Sequence, residues 1–230
     1  MATSAGVSAG AASGTGAGPE VRPAGVLART ARAMERLGSW QVWVPSAIVY
    51  AAFATVFFAS SAPFAVAQVG AACGRPAPDV NAYTSAAGVH AFLEACGPAG
   101  REAYRAMQLA DLLYPAVFAL FMASSIALAL TWSAPRRRLL PALAALPLLG
   151  SAFDYLENLC AWLALAAYPE PAATDALLGL ASAAKTVTSW AGGLVLIVVL
   201  ALLGLSAARG SFSAARARRR ERVIAAGRPA

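Results

Sequence analysis

The chain has 230 residues, of which 59% are hydrophobic and 13% charged, with a mean hydropathy of +0.62. That balance excludes an ordinary soluble domain, which carries about a quarter charged residues, and points to a membrane protein. The net charge of +7 does not argue for nucleic acid, because the arginines behind it flank apolar segments, where topology and anionic lipid account for them.

Residues 1–39 open with MATSAGVSAGAASGTGAGPE, small and polar without apolar periodicity, and read as a disordered basic cytoplasmic tail. No short apolar region with a cleavage site precedes the first long apolar run, so that run is expected to act as an uncleaved anchor. A crossing needs about 20 apolar residues. Four runs meet that length, near Val42–Ala67, Leu109–Trp132, Leu139–Ala167 and Ala176–Leu205. They predict an all-α, polytopic four-helix transmembrane bundle over residues 40–205, with an outer loop at 68–108 and a second basic tail at 206–230.

Arginines orient the bundle. Arg22, Arg29, Arg32 and Arg36 precede the first run, Arg136, Arg137 and Arg138 separate the second from the third, and seven lie between Arg209 and Arg228. The opposite side has Arg75, Arg101 and Arg105 in its first loop and none in its second, YPEPAATD. Basic residues stay inside. Both termini are therefore expected in the cytoplasm, with the protein in the cell membrane. Trp40, Trp43 and Trp132 begin or end runs, as an aromatic belt would.

Cys73 and Cys96 fall in the outer loop and Cys160 in the third run. Outside the cytosol a Cys73–Cys96 disulfide would stabilise the loop by about 3 kcal/mol at most; two unpaired thiols are the alternative. Cys160 is two residues past Asn158, off its face, and reads as apolar packing. Within the loop, NAYTSAAGVHAFLEAC predicts a short surface helix ended by Gly97 and Pro98. A second helical stretch, GREAYRAMQLADLLYP, runs into the second span with Tyr104, Gln108, Asp111 and Pro115 on one polar stripe.

GPAGREAY (Gly97 to Tyr104), DLLYP (Asp111 to Pro115) and FDYLEN (Phe153 to Asn158) together resemble a group of small four-span bacterial membrane proteins. That group reads roughly G-x-x-G-R-x-x-Y, D-x-x-Y-P and F-D-x-x-E-N, with a lysine early in the last span, matched by Lys185. The resemblance covers about Tyr83 to Trp190. It implies the four-span architecture and the place of a site, and it supplies no reaction.

Asp154, Glu157 and Asn158 occupy i, i+3 and i+4, so they share one helix face, continued by Ser151. Counting 1.5 Å per residue from Tyr168 puts Glu157 about 16 Å and Asp154 about 21 Å below the outer surface; counting from Asp175 puts Lys185 about 15 Å deep. Glu157 and Lys185 are thus expected level on neighbouring antiparallel helices. Ser182, Lys185, Ser189 and Gly192–Gly193 form a small-polar stripe facing the carboxylates. Asp111, Asp154 and Glu157 against one lysine leave two excess negative charges, so one or more carboxyls should be protonated near neutral pH.

Two functions follow. In the first, Asp154 and Glu157 are candidate acid–base groups, and Asp111, Tyr114, Asn158, Lys185, Tyr104 and Gln108 line a site for a lipid-like or other small ligand; isomerase- or cyclase-like chemistry would suit such paired carboxyls. In the second, the cluster only locks helices in a non-enzymatic membrane component. No cofactor is implied. His90 is the single histidine and reads as a surface side chain, so no metal site is expected. Phosphate-binding glycine loops, G-x-S-x-G and H-E-x-x-H are absent from the sequence. Membrane lipids are the expected partners.

Overall fold

The computed structural model describes residues 23–134 and 138–226 and is all-helical over them. Helices are α1 (Pro23–Glu35), α2 (Trp40–Ala59), α3 (Val66–Cys73), α4 (Ala86–Asp111), α5 (Tyr114–Ser133), α6 (Leu146–Ala167) and α7 (Asp175–Ala226). Short 3-10 turns at Pro78–Val80 and Leu140–Ala145 precede α4 and α6. Residues 1–22, Arg136, Arg137 and Arg228, all used in the sequence-based topology, lie outside the described residues.

Among the described residues, three stretches are long and apolar enough to cross a membrane: Trp40–Ala59, Ala86–Ser133 and Asp175–Arg209. The protein therefore has the helices of a membrane protein. Helix α6 has the length, at 22 residues, but Asp154, Glu157 and Asn158 lower its mean hydropathy below that of the other three.

Several expected boundaries move. The tail expected to be disordered through residue 39 contains α1, because alanine and arginine are good helix formers and Ala31 is buried. Met34 and Leu37 pack onto Ile126, Leu130, Ala144 and Val199, which ties this segment to the bundle. The first span ends at Ala59 instead of Ala67: Ser60 is extended, its hydroxyl accepts from the Ala62 amide at 3.1 Å, and Pro63 follows. The third begins as a 3-10 turn at Leu140–Ala145, which contains Pro141, and becomes α-helical at Leu146, just before Pro147. The fourth runs well past Leu205, since the alanine- and arginine-rich tail stays helical to Ala226.

In the outer region, Ser85 caps α4 by accepting from the Gly88 amide. The helix kinks at Gly97, whose φ of 61° and ψ of −176° suit glycine alone, and Pro98 follows. α4 runs on into α5 as one stretch, Ala86–Ser133, with Leu112 and Leu113 both in right-handed helical conformation and the ladder interrupted where Pro115 lacks an amide. The carbonyl this leaves free is that of Asp111, which the Asn158 amide reaches at 3.5 Å, and the Tyr155 hydroxyl donates to the neighbouring Leu112 carbonyl at 3.0 Å. Cys73 and Cys96 form a disulfide joining α3 to α4. Val69, Phe92, Tyr104 and Met107 fill the core beneath it.

α2 and α5 run antiparallel through a series of rungs. Trp40 meets Trp132 at 5.6 Å, Ser46 meets Ser124 at 3.1 Å, Tyr50 stacks on Phe121 at 4.6 Å, and Phe57 meets Tyr114 at 5.9 Å. α6 packs along α7 through small residues. A Cβ on Gly150 would lie 3.1 Å from the Ser189 hydroxyl, and one on Gly192 would lie 3.4 Å from the Pro147 ring. Ser182, Lys185, Ser189 and Gly192 thus all face α6, whereas Gly193 faces open space.

Candidate functional site

FDYLEN forms the middle of α6, and its helical period divides it cleanly. Ser151, Asp154, Glu157 and Asn158 are buried on one face, while Tyr155 and Leu159 are exposed on another. Opposite that face, α7 presents Ser182 and Lys185. The Lys185 ammonium pairs with Glu157 Oε2, lies 3.3 Å from Asp154 Oδ1, and donates to the Asp79 backbone carbonyl at 2.9 Å. Glu157 is fully enclosed and also accepts from the Ser182 hydroxyl. Ser151 donates to the Pro115 carbonyl at 2.7 Å, which fixes α6 against the start of α5.

Asp79 is the residue that reading the sequence missed. It lies in the Pro78–Val80 turn, buried, with Oδ2 accepting from Gln108 Nε2 at 2.6 Å and Oδ1 without a hydrogen-bond partner. Burial pushes its carboxyl up from the ordinary value to about 6, although the nearby Lys185 charge opposes this. Position in a loop gives no periodicity from which depth could be read. The one available signal was an acid beside Pro78 in a segment that the disulfide holds close to α4.

A cavity of about 310 Å³ opens beside this cluster. Asp79, Asp111, Tyr114, Asp154 and Lys185 line its polar part, and Phe57, Phe58, Phe118 and Trp190 line its apolar part. Of the predicted residues, the structure brings Asp111, Tyr114, Asp154 and Lys185 to the cavity wall. Glu157, Asn158, Tyr104 and Gln108 lie behind the wall, each almost wholly buried. The Asn158 amide reaches the Asp111 backbone carbonyl at 3.5 Å. The Tyr104 hydroxyl is buried beside Gln108 without a hydrogen bond of good geometry.

Four buried carboxyls, those of Asp79, Asp111, Asp154 and Glu157, therefore surround one lysine. Arg101 and Arg105 are engaged elsewhere: Arg101 donates to the Leu93 carbonyl and lies over the Tyr168 ring, and Arg105 pairs with Glu102. Among the described residues no group of three or more His, Cys, Asp or Glu side chains is arranged to hold a metal ion. His90 sits beside Tyr168 at 5.8 Å, and Cys160 is buried in the outer core.

Fold and site together define a helical membrane protein with an acid–lysine cluster at the side of an open cavity. No protein-family model, curated protein or solved structure matches the chain.

Proposed function

We propose that this is a four-span protein of the cell membrane, with both termini in the cytoplasm, whose cavity binds a lipid-like or other small ligand. Helix α6 with its 3-10 lead-in supplies the fourth crossing; the arginine distribution supports the orientation. The resemblance to four-span bacterial membrane proteins carried by GPAGREAY, DLLYP and FDYLEN supports the same architecture.

The observation that carries the ligand-binding function is the sharing of one cavity by the Asp154–Lys185 pair and a set of aromatic side chains. Ligand pockets commonly combine a mostly apolar lining with a few convergent polar groups. In this reading Asp154, which lines the cavity with Asp79 and Asp111, exchanges a proton with a bound molecule. Glu157 would act through Lys185, holding its charge in place.

A structural lock is the second function, and Glu157 favours it: fully enclosed and satisfied by Lys185 and Ser182, it joins α6 to α7 whether or not a ligand is present. Native mass spectrometry of the purified protein, with lipid extraction, separates the two. A molecule retained by the wild type and lost from Asp154→Asn, with folding intact, supports ligand binding. An empty protein in which Asp154→Asn and Glu157→Gln both fail to fold supports the lock.

A further inference from the structure

The charge arrangement of the cavity selects among ligand chemistries. An ammonium has three hydrogens to donate, and those of Lys185 have three acceptors in Asp154, Glu157 and the Asp79 carbonyl. An anionic head would find no free hydrogen on this ammonium, and the donors left to it in the cavity, such as the Thr186 and Ser189 hydroxyls, carry no charge. Acceptors are in surplus: Asp79 lines the cavity, is 6% exposed, and its Oδ1 has no partner. Asp111 also lines it, with no ion pair to a described basic residue. Phe57, Tyr114 and Phe118 line the cavity as well, and aromatic rings attract cations.

The helix register locates the opening. α2 and α5 each have 20 residues, about 30 Å, which is the thickness of the hydrocarbon core. Their tryptophans mark one end, and Phe57 and Tyr114 meet at the other. Ser151 bonds to Pro115 at this second level, and Gly150 beside it touches Ser189 of α7. Asp154 and Lys185 lie about one turn beyond. With the hydrocarbon taken to end where α2 and α5 end, they would stand at its outer edge, nearer the surface than the depth counted from Tyr168, because α6 and α7 extend past the end of α2. Phe58 and Trp190 flank the cavity from α2 and α7, and Trp190 is 76% exposed. About 310 Å³ is at the small end of ligand pockets. It is large enough for a headgroup and too small to hold a long chain as well.

We propose that the cavity takes the amine or ammonium head of an amphiphile, with the apolar chain passing between Phe58 and Trp190 into the bilayer. This deepens the ligand-binding function proposed above and rests on it.

The test is calorimetric titration of the full chain in neutral maltoside micelles with dodecyltrimethylammonium, tetramethylammonium and dodecyl sulfate. Dodecyltrimethylammonium is expected to bind saturably, one per chain. Losing a hydrogen bond or contact to a charge weakens binding about tenfold, the effect expected of Asp111→Asn. Trp190→Ala, at an exposed position, should weaken the long-chain probe much more than the short one. Saturable binding of dodecyl sulfate as tight as that of the cation would overturn the cationic head while sparing the ligand-binding function. Tetramethylammonium binding as tightly as the long-chain probe would overturn the sideways chain. An Asp111→Asn variant that folds and binds as the wild type does would also sink the proposal. No saturable binding of any probe to folded wild type would overturn the proposal and the ligand-binding function together.

Discussion

Lys185 and Glu157 meet side chain to side chain across 28 residues of sequence, with Glu157 completely enclosed and Lys185 partly open to the cavity. The pair is therefore asymmetric. Its acid faces the helix interface and its base reaches toward the site, touching Asp154 and the Asp79 carbonyl as well. One lysine thus holds α6, α7 and the outer loop at a single point.

Removing that point should be costly. Lys185→Met leaves Glu157 buried without its cation, and breaking a buried pair from one side costs about 3–5 kcal/mol. Thermal unfolding in detergent should show a large drop in Tm for Lys185→Met. Adding Glu157→Gln to it should recover part of the loss, because the orphaned charge is gone while Ser182 keeps a partner.

Asp79 makes stability depend on pH in a defined direction. Its pKa is raised from 3.8 to about 6 by burial, so the folded state holds this proton more tightly than the unfolded chain. The contribution is fully present below about pH 4 and is lost as pH rises through about 6, to a total of about 3 kcal/mol. Lys185, Asp154, Glu157, Asp111 and Tyr104 are the titratable groups around it. Asp79→Asn should flatten the pH 4–7 portion of the stability profile. A protonated-carboxyl infrared band titrating near pH 6 should vanish in the same variant.

Gly179 shows how closely the outer loop docks on α7. A Cβ there would sit 2.1 Å from the Thr84 carbonyl oxygen, a backbone atom that cannot swing aside. Gly179→Val should cost about 1–3 kcal/mol by overpacking. The loss should appear as faster hydrogen exchange across residues 77–85, while α2 and α5 keep their protection.

The disulfide acts on the same outer region. Reduction, or Cys73→Ser with Cys96→Ser, should lower the stability of α3 and the first half of α4 by about 3 kcal/mol at most. Hydrogen exchange confined to these segments is the expected result. A uniform loss across all helices would show that the outer region and the bundle unfold together.

Much of the fold was legible in the residues because its signals are local. Apolar runs of membrane length marked α2, α5 and the main part of α7, and the i, i+3, i+4 spacing of Asp154, Glu157 and Asn158 put them on one face. Lys185 was placed level with Glu157 by counting alone, since two straight helices joined by a short connection keep a common rise per residue. Gly97 and Pro98 announced their kink through their own backbone chemistry.

Tertiary structure decided the rest, where position depends on what packs against a residue and not on its neighbours in sequence. Asp79 belongs to the cluster because a disulfide-linked turn folds back over α7, a placement with no periodic signature. The separation of Asp154 and Asp111 at the cavity wall from Glu157 and Asn158 behind it depends on the relative rotation of α4, α6 and α7. The sequence determined by itself that costly polar groups share a helix face in an apolar protein. Only the packing of that helix against its neighbours decided which of them line the cavity.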